Sequence, residues 1–148
     1  MRRGLSFLLL LVVALSTALV TACGSAKSTR PATIAQPDLD AGLATELFFG
    51  SGTQAPANID VRVTNRANVP IVLRRVEIDS PGMGQYVIGR TVRDFRETIG
   101  PGETKVVGVF ATAYAQTTRR PSEPLQLRAI IEFEAGQARW REILMARE

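Results

Sequence analysis

From residue 41 onward, apolar residues recur at every second position through most of the chain. That period restricts the fold more than any single motif. In Ile59-Asp60-Val61-Arg62-Val63-Thr64 the aliphatic side chains point one way and the polar ones the other, as in a strand with one buried face. Asn65-Arg66-Ala67-Asn68 reads as a turn, because asparagine tolerates a left-handed backbone. Ile71 and Leu73 resume the alternation. Val76 and Ile78 continue it after a one-residue change of phase at Arg74-Arg75, which a β-bulge would produce. Ser80 to Gly84 interrupts the chain, and Gln85 to Ile88 makes a short strand. Residues 90–99 fit a helix through Val92, Phe95 and Ile99, or a strand through Phe95, Glu97 and Ile99. The turn Gly100-Pro101-Gly102-Glu103, followed directly by Thr104 to Phe110, favours the strand. Thr104 to Ala113 is apolar on both faces, which predicts a central strand, and Thr117 to Pro124 reads as a loop. Leu125, Leu127, Ala129, Ile131 and Phe133 alternate, Glu134-Ala135-Gly136-Gln137 turns the chain, and Ala138 to Met145 returns as a hairpin partner. An opening strand at Thr45 to Phe49 brings the count to eight.

Eight short strands separated by Gly, Pro and Asn turns predict an all-β protein: an antiparallel β-sandwich of immunoglobulin/fibronectin-like architecture over residues 41–148. A closed barrel is the main rival. The cysteine pair of antibody-type domains is absent, so the expectation concerns architecture alone. The expected core contains Leu47, Val61, Val63, Ile71, Leu73, Val76, Phe95, Val107, Val109, Ile131 and Trp140.

The first 40 residues follow different rules. Met1-Arg2-Arg3 is basic, Leu5 to Val20 carries no charge, and Val20-Thr21-Ala22-Cys23-Gly24-Ser25 follows with the chain's one cysteine. This layout has the form of a signal peptide. The apolar stretch falls short of the ~20 residues that cross a bilayer comfortably, although an uncleaved signal anchor is the alternative. The segment resembles the lipobox of bacterial lipoproteins. The resemblance implies diacylglycerol on Cys23, cleavage after Ala22 and often a further acyl chain on the new amine. With ~0.8 kcal/mol gained per buried methylene, two or three chains would hold the protein in a membrane. Residues 1–22 are then the leader, and 23–40, rich in small, polar and proline residues, a flexible tether whose Ile34 and Leu39 could dock on the domain and order its last residues. The domain is expected outside the cytoplasm, on the periplasmic face of the outer membrane if the cell has one.

Removal of the leader takes two arginines with it, leaving 16 Lys+Arg against 14 Asp+Glu, so the basic character of the whole chain overstates that of the domain. Near-neutral charge and export argue against nucleic acid. The chain has no histidine, which removes Ser-His-Asp and Cys-His catalysis and His/Cys zinc sites. Gly50-Ser51-Gly52 and Gly82-Met83-Gly84 lack the lysine of a phosphate loop. Asp38-x-Asp40 is only a fragment of a calcium loop. Glu132 and Glu134 share a strand face, but cross-strand ion pairs with Arg139 and Arg141 explain them more simply than a hydrolytic pair does. No catalytic residues, metal or cofactor are expected.

The expectation is therefore a non-catalytic, lipid-tethered module that binds another envelope protein through loops or an exposed sheet edge. Candidate contact residues are Tyr114, Arg119 and Arg120 near the longest loop, and Arg74 and Arg75 at the bulge; aromatic and arginine side chains are enriched at interface hot spots. Surface ion pairing is the plainer account of the arginines. Residues Val61 to Ile78, with Ile99-Gly100-Pro101-Gly102-Glu103, are similar to the second-and-third-strand pattern of late-embryogenesis-abundant type 2 (water stress and hypersensitive response) domains. Arg66 stands where that pattern usually has proline. The resemblance implies a sandwich and a stress-protective or structural role. A small lipid- or glycan-binding module is a further alternative.

Overall fold

A computed structural model of the chain describes residues 30–82, 86–116 and 125–147. Eight antiparallel strands form two four-stranded sheets packed face to face, an all-β sandwich: β1 (Asp38–Leu43), β2 (Gln54–Thr64), β3 (Ile71–Asp79), β4 (Tyr86–Ile88), β5 (Thr91–Ile99), β6 (Thr104–Ala115), β7 (Gln126–Ala135) and β8 (Ala138–Arg147). The first sheet has the order β1-β2-β6-β4 and the second β5-β3-β7-β8. Residues 91–99 are strand, as the turn after them implies. Between β7 and β8 the chain turns through Gly136 and Gln137, with a positive φ at Gly136 alone, the position where a two-residue hairpin of type II′ requires glycine.

The inward faces form one core. Ile59, Val61, Val63, Ile71, Leu73, Val76, Ile78, Ile99, Val109, Leu127, Ile131, Phe133 and Trp140 are fully buried, and Phe133 stacks on Trp140 at 5.6 Å between ring centroids. Val107 is buried as well, while Leu47 and Phe95 are only half-buried at its margin. Each large apolar side chain buried in this way contributes ~1.5–3 kcal/mol, against ~0–1 for an exposed ion pair, so the core holds the sheets together.

Two expectations change. The opening strand is β1 at Asp38–Leu43, and Thr45 to Phe49 lies in the connection to β2. Pairing against β2 from Asp38↔Thr64 to Leu43↔Ile59 outweighs the apolar content of Leu47-Phe48-Phe49. The ordered structure also begins earlier than residue 41. Ile34 is buried, Arg30 Nε lies 3.1 Å from Glu142 on β8, and Gln36 donates to the same carboxylate. Residues 30–40, assigned to the tether by composition, therefore belong to the folded unit. Strand β6 lies inside the first sheet, as expected of a central strand.

Asn65 is the buried polar exception. Its side-chain amide donates to the carbonyls of Val69 and Ile99, and its side-chain oxygen accepts from the Ala67 amide. Its own N–H bonds Glu103 O and its carbonyl accepts from Gly102 N–H. It thus ties the β2–β3 connection to the β5–β6 turn, where Pro101 and Gly102 (φ 73°) have the sequence and backbone sign of a type II turn. Asn65 does not use a left-handed backbone, and no non-glycine residue does so among the described residues. Hydrogen bonding across the sandwich, not turn conformation, explains the asparagine.

Candidate functional site

The outward faces of the two sheets differ in chemistry. On the second sheet, the cross-strand row Asp94–Arg75–Glu132–Arg141 runs through all four strands with alternating charge. Arg75 donates to Asp94 at 2.7 Å and Arg141 to Glu132 at 3.1 Å. A second row places Glu134 between Arg139 (2.9 Å) and Arg74 (3.6 Å). Arg90 donates to Glu77 at 2.7 Å, and Arg128 holds Asp79 through two nitrogens. The bonded arginines hold the Asp94 and Glu77 carboxyls below their ordinary values, by hydrogen bond first and charge second. The same bonds raise Arg75 and Arg90, and the bond to Asp79 raises Arg128. Glu132 and Glu134 are thus partners of Arg141 and Arg139, as their spacing predicts.

The expected bulge falls between Leu73 and Arg75: against β7, Arg74 is the extra residue. Leu73 and Val76 both face the core, so two consecutive arginines emerge on the outer side, where strict alternation would give one. They help to form a concavity of about 410 Å³ whose lining includes Arg74, Arg75, Arg96, Arg139 and Arg141 against Asp94 and Glu132. Five cations face two anions there. Arg96 makes no ion pair among the described residues.

The first sheet carries a different face. Val106, Phe110 and Tyr114 project outward from β6 and are 46%, 67% and 39% exposed. Gly108 stands between the first two without a side chain, and the Asn58 side-chain oxygen beside it is buried with no hydrogen-bond partner among the described residues. Among the described residues, the side of β6 away from β2 is paired only at Ala113 to Ala115, by β4. Gly89 N–H bonds the Thr112 carbonyl on that side, and the alternation then turns the main-chain groups of Phe110, Gly108 and Val106 the same way. Among the described residues no main-chain hydrogen bond reaches those three. Strand β6 therefore presents an unpaired backbone edge flanked by exposed apolar side chains. Tyr114 lies close to Gly89, where a Cβ would meet its ring at 3.0 Å.

The two groups of candidate contact residues lie on different sheets. Tyr114 belongs to the first sheet, and Arg74 and Arg75 to the outer face of the second. Cys23, Arg119 and Arg120 lie outside the described residues, as does the loop from Thr117 to Pro124. Asp38 is engaged by Arg66 at 2.5 Å, and no cluster of three or more His, Cys, Asp or Glu side chains occurs among the described residues. The sequence reading missed Val106 and Phe110. Their signal is the apolar content of both faces of β6, which predicts a central strand but does not say which face is exposed.

No protein-family model and no curated protein matches the chain. Among solved structures it is similar to a protein from Archaeoglobus fulgidus, with a TM-score of 0.48 and 12% identity over 78% of this chain and 94% of that one. It is also similar to a FixG-related protein from Vibrio parahaemolyticus, with a TM-score of 0.39 and 12% identity over 75% and 93%.

Proposed function

We propose that this chain is a non-catalytic envelope lipoprotein, anchored through Cys23, whose sandwich binds another envelope protein along the open side of β6. The observation that supports this most is the coincidence of unpaired main-chain groups at Val106, Gly108 and Phe110 with two exposed apolar side chains. A partner strand added there would gain main-chain hydrogen bonds for affinity and apolar contacts for specificity. Gly108, with no side chain, leaves the backbone between Val106 and Phe110 bare for its approach. Tyr114 continues the same strand, and Arg119 and Arg120 follow it in sequence.

A photoreactive residue at position 114, activated in cells, is expected to trap one predominant protein. Phe110→Asp is expected to abolish the adduct. Adducts spread over many proteins, or an adduct indifferent to Phe110→Asp, would refute the edge as the binding site. Metabolic labelling with an alkyne fatty acid tests the anchor separately, and Cys23→Ser should lose the label. A stress-protective role of the late-embryogenesis type is the second reading. It draws on Asn65, which joins the two stretches that carry that resemblance.

A further inference from the structure

We infer that the outer face of the second sheet lies against the anionic phospholipid leaflet in which the chain is anchored, leaving the open side of β6 turned toward its partner. This rests on the lipid anchor proposed above. The first argument is reach. Arg30 is docked on β8, and seven residue steps separate it from Cys23, a span of at most about 25 Å at full extension. Strand β8 alone, with ten residues, is roughly 33 Å long. The connection is shorter than the domain, so the side where Arg30 docks stays near the membrane. That side is defined by the contact of Arg30 with Glu142 on β8 and by β1 lying alongside β8.

Charge then chooses between the two faces that meet at this side. On the first sheet, Asp38, Asp40 and Asp60 on the outward side of β1 and its neighbour are opposed, among the described residues, only by Arg62 and by Arg66, which holds Asp38, so that face has no positive excess to attract an anionic surface. On the second sheet, the outward residues of β8 are Arg139, Arg141, Ile143, Met145 and Arg147. Ile143 and Met145 are 67% and 54% exposed beside the arginine-lined concavity. Cations backed by exposed apolar side chains match a headgroup layer over hydrocarbon. The ion pairs with Asp94, Glu132 and Glu134 hold the guanidinium groups in place while the lining keeps its positive excess.

The test uses the protein purified from its own envelope, with the mass of the Cys23 peptide recorded first. It is reconstituted into vesicles of phosphatidylcholine, with or without one quarter phosphatidylglycerol, and labelled with the arginine reagent phenylglyoxal. Arg96 and Arg141 are expected to react about fivefold more slowly in the anionic vesicles, the difference one membrane-held arginine represents, and high salt should restore their reactivity. Arg62, exposed on the first sheet, should react equally in both. Acylated protein whose Arg96 and Arg141 react alike in both vesicles, or in which Arg62 is the protected residue, overturns the docking and leaves the anchor standing. A bare thiol at Cys23 overturns the anchor and this orientation with it.

Discussion

The two outer faces cover the same core by opposite means. On the second sheet, Glu77, Asp79, Asp94, Glu132 and Glu134 each hold an arginine from a neighbouring strand or connection. Apart from the Thr64–Thr104 hydroxyl pair and the Arg66–Asp38 bridge at one end, the outward residues of the first sheet show few such contacts, and β6 exposes Val106 and Phe110. The contrast teaches that polarity is a poor guide to availability. The charged face is largely satisfied within the sandwich and offers only its surplus of arginine. The less charged face leaves main-chain and apolar groups without partners. Surface ion pairs of this kind are each worth ~0–1 kcal/mol, so the lattice chiefly arranges charge and stabilises the fold little.

Substitutions that break or sharpen this contrast rank by what they uncover. Asn65→Ala should have the largest effect, because it strands the buried Ile99 carbonyl and Ala67 amide and the part-buried Val69 carbonyl. A loss of about 2–4 kcal/mol in urea unfolding is expected, and both faces should fail together. Phe110→Asp should separate the faces: partner affinity falls at least about tenfold, while unfolding free energy stays within ~0.5 kcal/mol. Glu132→Gln acts on the other face, weakening the hold on Arg141 beside Arg75; a stability loss under ~1 kcal/mol and unchanged partner binding are expected. The smallest effect is on pH. The carboxyls of Glu77 and Asp94 titrate lower in the folded state than in the unfolded chain. Their contribution is therefore complete above the ordinary carboxylate range near pH ~4 and lost as pH falls through the depressed values. Acid titration of the Arg90→Ala variant should show the Glu77 share removed, with the Asp94 share intact.

Much of the fold is legible along the chain because a half-buried strand writes its orientation into alternate residues. Val61, Leu73, Ile131 and Trp140 could be assigned inward one by one, and the change of phase at Arg74-Arg75 reported the bulge. Gly136 and Pro101-Gly102 mark their turns for an equally local reason, since each needs a backbone conformation that few residues adopt. The ion pairs of Glu132 and Glu134 were legible too, because a two-residue hairpin fixes which side chains stand opposite.

Seven of the eight strands, most turns, most of the inward set and the lack of histidine chemistry can thus be read along the chain, since neighbours a few positions apart set them. Packing between distant segments was needed to show that Asp38–Leu43 pairs while Thr45 to Phe49 does not, that Arg30 docks on β8, and that one side of β6 is open among the described residues. Those outcomes depend on which strands meet and how far each pairing runs. A run such as Val106-Val107-Gly108-Val109-Phe110 reads the same whether its second face is covered by another layer or left to solvent.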